Sequence, residues 1–290
     1  MSNNDIPMPT PTINPPPPLH AYKIISFDVY GTLIRYKSHI LNSFQPLLSR
    51  LPTDSSYLNN TPLSTHIPGS ATAGQVEFLK LFQKKEDEIK LEKPVRQFDE
   101  ILKEIWTRIA KELDLSTTED EVKQFGSVEN IASWPCFEGT VDALKKLSQK
   151  GFKLVALSNI DRFAWEITAP ASGLGEVKWD KVFTAEDFGD DLEKADEAKL
   201  KTLMKYAEQK EVRKEEVLHV AQSLGHDHKP AKDLGLSSVF LIGDGPIWGK
   251  ESESKMAVEK QLVGYAWRCQ DLREFVKVVD REVPGWGDCC

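Results

Sequence analysis

Five short apolar runs constrain this chain more than any other feature. They are Lys23–Phe27, Lys153–Leu157, Lys181–Thr184, Val217–Ala221 and Ser238–Ile242, with a weaker sixth at Gly264–Trp267. Their length and their β-branched and aromatic content read as buried strands. Helical patterns separate several of them. Val141, Leu144 and Leu147 share one face of Thr140–Lys150, which Gly151 stops, and Leu200, Leu203, Met204 and Ala207 do the same in Ala198–Gln209. Strands alternating with helices build right-handed βαβ units, so the expected fold is α/β: a Rossmann-like, mainly parallel sheet flanked by helices.

Residues 37–133 break the alternation between the first strand and the second. Phe78, Leu81 and Phe82, and then Ile101, Leu102, Ile105, Trp106 and Ile109, carry helical periodicity. The segment is too long for a simple crossover and reads as an inserted all-helical cap, with a flexible loop at 52–73 rich in Ser, Thr, Asn and Pro. The core is then expected from 21–36 and 134–280, with hinges near Tyr36 and Ser133 and a tail at 281–290. Residues 1–20, with a run of four prolines, read as a disordered arm.

The formal net charge of −8 gives no overall basic field, which argues against nucleic-acid or membrane partners. A small anionic substrate would need a local positive cluster. The cysteines Cys136, Cys269, Cys289 and Cys290 have neither metal-ligand nor disulfide spacing, and with no signal-like start this suggests a cytoplasmic protein. The terminal Cys289-Cys290 pair reads as part of a loose tail, and dimerisation through the cap is left open.

Ligands of open parallel sheets bind beyond the carboxyl ends of the strands. Asp28 and Thr32 follow the first run, Ser158 and Asn159 the second, Lys194 lies after the third, and Gln222, Ser223 and Asp227 follow the fourth. Singly, each has an ordinary structural job as a turn residue, helix cap or solvated charge. Their arrival in order at successive strand ends points to one crevice.

These residues resemble the motifs of the haloacid dehalogenase superfamily, and within it the type II 2-haloacid dehalogenases. Asp28-Val29-Tyr30-Gly31-Thr32-Leu33 matches the first motif, Ser158-Asn159 the second, Lys194-Ala195-Asp196 the third and Ala221–Asp227 the fourth. The resemblance implies that Asp28 is a nucleophile forming an aspartyl ester. It implies that Thr32, Ser158 and Asn159 hold carboxylate and substrate oxygens. Lys194 would offset the clustered negative charge, and Asp227 would position or activate water. Tyr30 would line the substrate pocket together with Ser158 and Asn159.

Tyr30 stands where the magnesium-dependent phosphatases of that superfamily carry an aspartate that protonates the leaving alkoxide. A phenol with an ordinary pKa of about 10 is a poor acid–base shuttle, whereas a halide departs without a proton. Gln222 stands where those phosphatases place an acidic metal ligand. Both departures favour a hydrolase that needs no cofactor and no metal, acting on a carbon–halogen bond of a small 2-haloacid. The alternatives are a Mg²⁺-dependent phosphatase of the same superfamily and a non-catalytic protein of the same fold. The arginine expected in the cap has no evident counterpart. Phe82 falls at its place, and Arg35, Lys84, Lys85 and Arg96 are the candidate substitutes. Leu200 and Leu224 stand at two further recognition positions. His226 and His228 have a spacing that can bind a transition metal, but helix initiation is the simpler role. His219 reads as core.

Overall fold

The structure is a computed structural model that describes residues 7–62, 71–92, 97–189, 195–243 and 251–282. Six strands, β1 (Ile24–Phe27), β2 (Lys153–Leu157), β3 (Lys181–Phe183), β4 (Val217–Ala221), β5 (Ser237–Leu241) and β6 (Trp267–Cys269), form one sheet in the order β3-β2-β1-β4-β5-β6. Every pairing is parallel, with Phe27 aligned to Ala156 on one side and Val220 on the other. β1, β4 and β5 are buried along their whole length, which is why they read as continuous apolar runs without polar alternation.

Alternate residues of each strand serve opposite layers. Ile24, Val155, Leu157 and Val217 pack with Leu200, Leu203, Tyr206 and Ala207 of α8 (Ala195–Gln209) and with Ala231 of α9 (Lys229–Asp233). Ile25, Phe27, Leu154, Ala156 and Val220 pack on the other side. There they meet α6 (Thr140–Gln149), α7 (Arg162–Ser172) and α11 (Leu272–Glu282). A further helix, α10 (Glu251–Glu259), precedes β6. The strand order reverses between β1 and β4, and ligands of open parallel sheets bind beyond the strand ends at such a point.

Between β1 and α6 the described residues form five α-helices: α1 (Lys37–Leu48), α2 (Ala73–Glu92), α3 (Phe98–Glu112), α4 (Glu119–Phe125) and α5 (Val128–Ala132). Their apolar stripes converge on Phe44, whose ring lies 4.5 Å from Trp106, 4.7 Å from Phe125 and 4.9 Å from Phe78, centroid to centroid. Aromatic contacts of this kind add to the area they bury. Local signals fix the helix starts: Thr118 and Glu121 form a capping box on α4, and Ser127 caps α5.

The N-terminal arm differs from the disordered segment expected over 1–20. Residues 1–6 lie outside the described residues, but from residue 7 the chain is seated on the core. Thr12 donates its backbone N–H to the Gly264 carbonyl at 2.7 Å, Leu19 is buried, and its N–H reaches Glu282 of α11. A proline-rich segment needs few partners of its own because each proline lacks an N–H, so two anchored amides and one apolar plug suffice. The expected 52–73 loop is also partly built: Ser56–Leu58 forms a helical turn and Pro62 bridges Thr72, while 63–70 lie outside the described residues. Cys289 and Cys290 lie outside them as well. Among the described residues no helix is long and apolar enough to cross a membrane.

Candidate active site

Asp28 extends β1 by one residue, donating its N–H to Val220 O at 3.1 Å. The backbone then turns sharply, with the N–H groups of Thr32, Leu33 and Ile34 all directed to Val29 O. Gly31 allows this turn, at φ +90°, where any Cβ would also sit 3.2 Å from Gln222 Oε1. The turn brings Thr32 back under Asp28. Its hydroxyl donates to Asp28 Oδ2 at 2.8 Å and accepts from Gln222 N at 3.0 Å, tying the ends of β1 and β4 together.

Asp227 sits in a single π turn, Leu224–His228, that follows β4. It is buried against two partners: Lys199 Nζ at 2.7 Å and His219 Nε2 at 3.0 Å. His219 projects inward from the middle of β4, and its Nδ1 meets Ser26 Oγ at 2.9 Å. Burial holds the imidazole below its ordinary pKa, so it is neutral. A carboxylate can only accept, so the hydrogen lies on Nε2 and Ser26 donates to Nδ1.

Burial and the neighbouring Asp227 charge push Asp28 up to about 7, against the opposing pull of Lys199 and Thr32. Burial also works against the Asp227 charge, but the Lys199 ammonium and the His219 hydrogen bond outweigh it and hold Asp227 well below the usual carboxylate range. Two adjacent carboxylates are thus driven apart, one near neutrality and one permanently ionised. Such divergence is typical of catalytic pairs.

Among the described residues the lysine of this cluster is Lys199. Lys194 lies outside the described residues. Lys199, five residues further on and inside α8, reaches Asp227 and lies within electrostatic range of Asp28 and Asp196. Burial lowers the pKa of its ammonium, but the three carboxylates more than offset this and raise it. Sequence reasoning missed Lys199 because α8 carries several lysines and only the fold shows which one is enclosed.

Ser158 and Asn159 follow β2 as expected. Ser158 is buried, with its N–H on Phe183 O. The Asn159 amide donates to Asp196 Oδ1 at 3.0 Å, and its own buried oxygen has no partner. Asp196 Oδ2 in turn holds His226 Nδ1 at 2.8 Å. His228 points the other way, between Ser238 Oγ and Ala221 O. The two histidines therefore do not form a metal pair, and the described residues hold no cluster of metal-binding groups.

Tyr30 is enclosed by rings. Tyr36, Phe98 and Trp134 lie within 6 Å of it, centroid to centroid, and its hydroxyl shares a 2.7 Å hydrogen bond with Thr168. Burial raises its pKa far above the ordinary phenol value. Asp161 joins the inserted helices to this region. Its Oδ1 caps α7 at Ala164 N and its Oδ2 accepts Phe98 N at the start of α3, each at 2.9 Å.

Two of the four candidate arginine substitutes are placed elsewhere. Lys84 and Lys85 pair with Glu88 and Glu112, Phe82 packs against Phe44 and Phe125, and Arg96 lies outside the described residues. On α2 the cation that interacts with Asp196, the partner of Asn159, is Lys90. It binds Glu86 at 2.7 Å and also interacts with Asp87 and Asp196. Its position two turns beyond Phe82 is the sequence signal that could have found it.

The profile of the haloacid dehalogenase-like hydrolases matches residues 22–235. The chain belongs to that family. It is a hydrolase by membership. No curated protein matches it in sequence. Among solved structures, an L-2-haloacid dehalogenase is 19% identical, with TM-score 0.60 over 90% of this chain and 99% of its own. The L-2-haloacid dehalogenase from Xanthobacter autotrophicus is 16% identical, with TM-score 0.60 over 89% and 98%. The putative hydrolase YfnB from Bacillus subtilis, bound to magnesium, is 17% identical, with TM-score 0.58 over 89% and 99%. At such identities the likeness shows the fold alone.

Some members of this fold use Mg²⁺, and the described residues do not fit it. Asp28 would be one ligand, but Gln222 takes the place of the acidic one. The Gln222 Oε1 already accepts the ammonium of Lys37 at 3.0 Å. Mg²⁺ requires several hard, preferably charged oxygens, and the ammonium on Gln222 Oε1 opposes its binding there.

Proposed function

We propose that this hydrolase cleaves the carbon–halogen bond of a small 2-haloacid through an ester on Asp28, without metal. The observation that carries the reading is Tyr30. The residue two after the nucleophile is a half-buried phenol enclosed by rings, bonded to Thr168 and shifted away from acidity. It cannot protonate an alkoxide near neutral pH, so the leaving group must depart unaided as a stable anion. A halide does so.

In the first step an Asp28 oxygen attacks the substituted carbon, a carbon–oxygen bond forms, and the halide leaves with the bonding pair. In the second, water adds to the Asp28 carbonyl carbon and the alcohol oxygen is released from it. The sum consumes one water and yields a 2-hydroxy acid, halide and one proton. Asp227 is too weakly basic to keep that proton, and its part is to hold Lys199 and orient the water. Lys199 stabilises negative charge that develops at the Asp28 carbonyl. The unpartnered Asn159 oxygen is a buried acceptor for a hydrogen of that water or of the product hydroxyl. The Xanthobacter enzyme with chloropropionic acid covalently bound supports an ester of this kind. The inserted helices would act as a cap over the crevice, excluding water.

The test is turnover of 2-chloropropionate in ¹⁸O-water, followed by intact mass and halide release, with Asp28→Asn as control. Halide release with label entering Asp28 over several turnovers is expected. Mg²⁺-dependent hydrolysis of an aryl phosphate, with no halide release from any 2-haloacid, would overturn the reading.

A further inference from the structure

We propose that Ser26 and His219 are positioning residues for the second chemical step: Ser26 holds the His219 ring, and His219 pins the Asp227 carboxylate that orients the water. The part played in hydrolysis rests on the function proposed above.

Alternation along the strands puts Ile24 and Ser26 of β1, and Val217 and His219 of β4, on the sheet face covered by α8. The strand register sets Ser26 beside His219, and both are fully buried. An apolar pair would fill this layer with no hydrogen bonds to satisfy. Two buried polar side chains are tolerated only when their donors and acceptors are matched. Here the match runs in one direction. Ser26 Oγ lies 2.9 Å from His219 Nδ1, nearer than the 3.4 Å to the Leu218 carbonyl, so its single hydrogen goes to the ring. His219 Nε2 lies 3.0 Å from Asp227 Oδ1 and donates to it.

Lys199 Nζ reaches that same oxygen at 2.7 Å. Two donors from different elements, β4 and α8, therefore meet on one carboxylate oxygen. Turning the carboxylate would break both bonds at once. An ammonium on a flexible stem could follow either oxygen, whereas a planar ring fixed on its far side by Ser26 selects one. With Oδ1 shared by both donors, Oδ2 is the oxygen left to accept from water.

His228 shows the purely structural counterpart. It is equally buried and takes Ser238 Oγ at Nδ1, 2.9 Å away, but its Nε2 ends on the Ala221 carbonyl at 3.0 Å. That pair fastens the turn to β4. The His219 pair ends instead on the carboxylate whose charge acts on Asp28.

Two measurements decide it. The first is ¹⁵N nuclear magnetic resonance of the imidazoles at pH 7, with His219→Phe assigning the signals. Wild-type His219 should be neutral with its hydrogen on Nε2. Hydrogen on Nδ1, or an imidazolium, overturns the proposal.

The second is 2-chloropropionate kinetics with intact mass. His219→Phe keeps a ring but no donor. It should release a stoichiometric burst of halide, lower kcat about 10- to 100-fold and accumulate the Asp28 ester. His219→Gln, which returns an N–H, should recover part of kcat. Ser26→Ala should slow the same step, but add nothing when His219 is already phenylalanine. Circular dichroism checks folding, and if His219→Phe does not fold, ester accumulation in Ser26→Ala carries the test. A folded variant with wild-type kcat, slowed turnover without ester, or additive effects of Ser26→Ala and His219→Phe overturns the proposal while the dehalogenase reading stands. If wild type releases no halide, that reading falls, and the second-step role falls with it.

Discussion

Replacing Lys199 with methionine should cost this protein both stability and turnover. Its ammonium and the Asp227 carboxylate are 1% and 2% exposed and 2.7 Å apart, so neither is screened by water. Methionine fills most of the volume but strands Asp227 as a buried charge with one remaining donor, His219. Breaking one side of such a pair costs about 3–5 kcal/mol. For a chain of this size that lowers the thermal midpoint by on the order of 10 °C. Turnover should fall about 10²-fold or more, the usual loss when one donor to a developing oxyanion is removed.

Differential scanning calorimetry and halide release measure the two effects, and the apolar pair Lys199→Met/Asp227→Leu should regain much of the stability but none of the activity. Lys194→Ala is the comparison, since motif spacing alone would select that residue. A Lys199→Met protein that melts within about 2 °C of wild type refutes the reasoning, because a stranded buried charge cannot be that cheap. So would activity lost with Lys194→Ala and kept with Lys199→Met.

Asp28 acts only when ionised, so kcat/KM should rise with pH through about 7 as a single ionisation; a flat profile between pH 5.5 and 8.5 would contradict its raised pKa. The same shift has a stability sign. Because the folded carboxyl holds its proton more tightly than the unfolded one, stability is lost as pH rises from about 4 to about 7, and Asp28→Asn should be more stable than wild type at pH 8 by about 2–4 kcal/mol. Denaturant melts at pH 5 and pH 8 would show this as a gap that opens with pH. Tyr30→Phe should keep turnover within about 5-fold, since only one hydrogen bond to Thr168 is removed; a loss of about 10³-fold would restore the tyrosine as a proton donor. Gly31→Ala forces a side chain into a left-handed turn and against Gln222, and should cost about 1–3 kcal/mol and raise KM, measured by denaturation and initial rates.

The parts of the site that were legible in the sequence are those carried by contiguous residues. Asp28, Gly31 and Thr32 form one turn, so their spacing already encodes the bond between the hydroxyl and the carboxylate. The strands were legible because a buried parallel sheet leaves uninterrupted apolar runs. Lys199 was hidden because its burial depends on how α8 crosses the sheet, which no local pattern records. His219 read as a core residue, and it is one, but its role beside Asp227 appears only when β4 is set next to β1 and Ser26 comes level with it. Lys37 was invisible for a similar reason: its partner Gln222 is 185 positions away. The N-terminal arm was misjudged because proline content reports a missing capacity for secondary structure, not a missing partner.

The two oxygens of Asp161 give the inserted helices a detent. If these helices swing away from the sheet, Phe98 loses its bond to one oxygen and its ring contacts, while the other oxygen keeps α7 capped. The hydrogen-bond part of that release costs about 1 kcal/mol net, and the segment holding Asn159 stays put. Substrate entry and alignment of the strand-end groups would thereby be mechanically independent. If the inserted helices act as a cap, that jaw would open and shut without disturbing the anvil, and the Phe98 amide would report each cycle in hydrogen exchange.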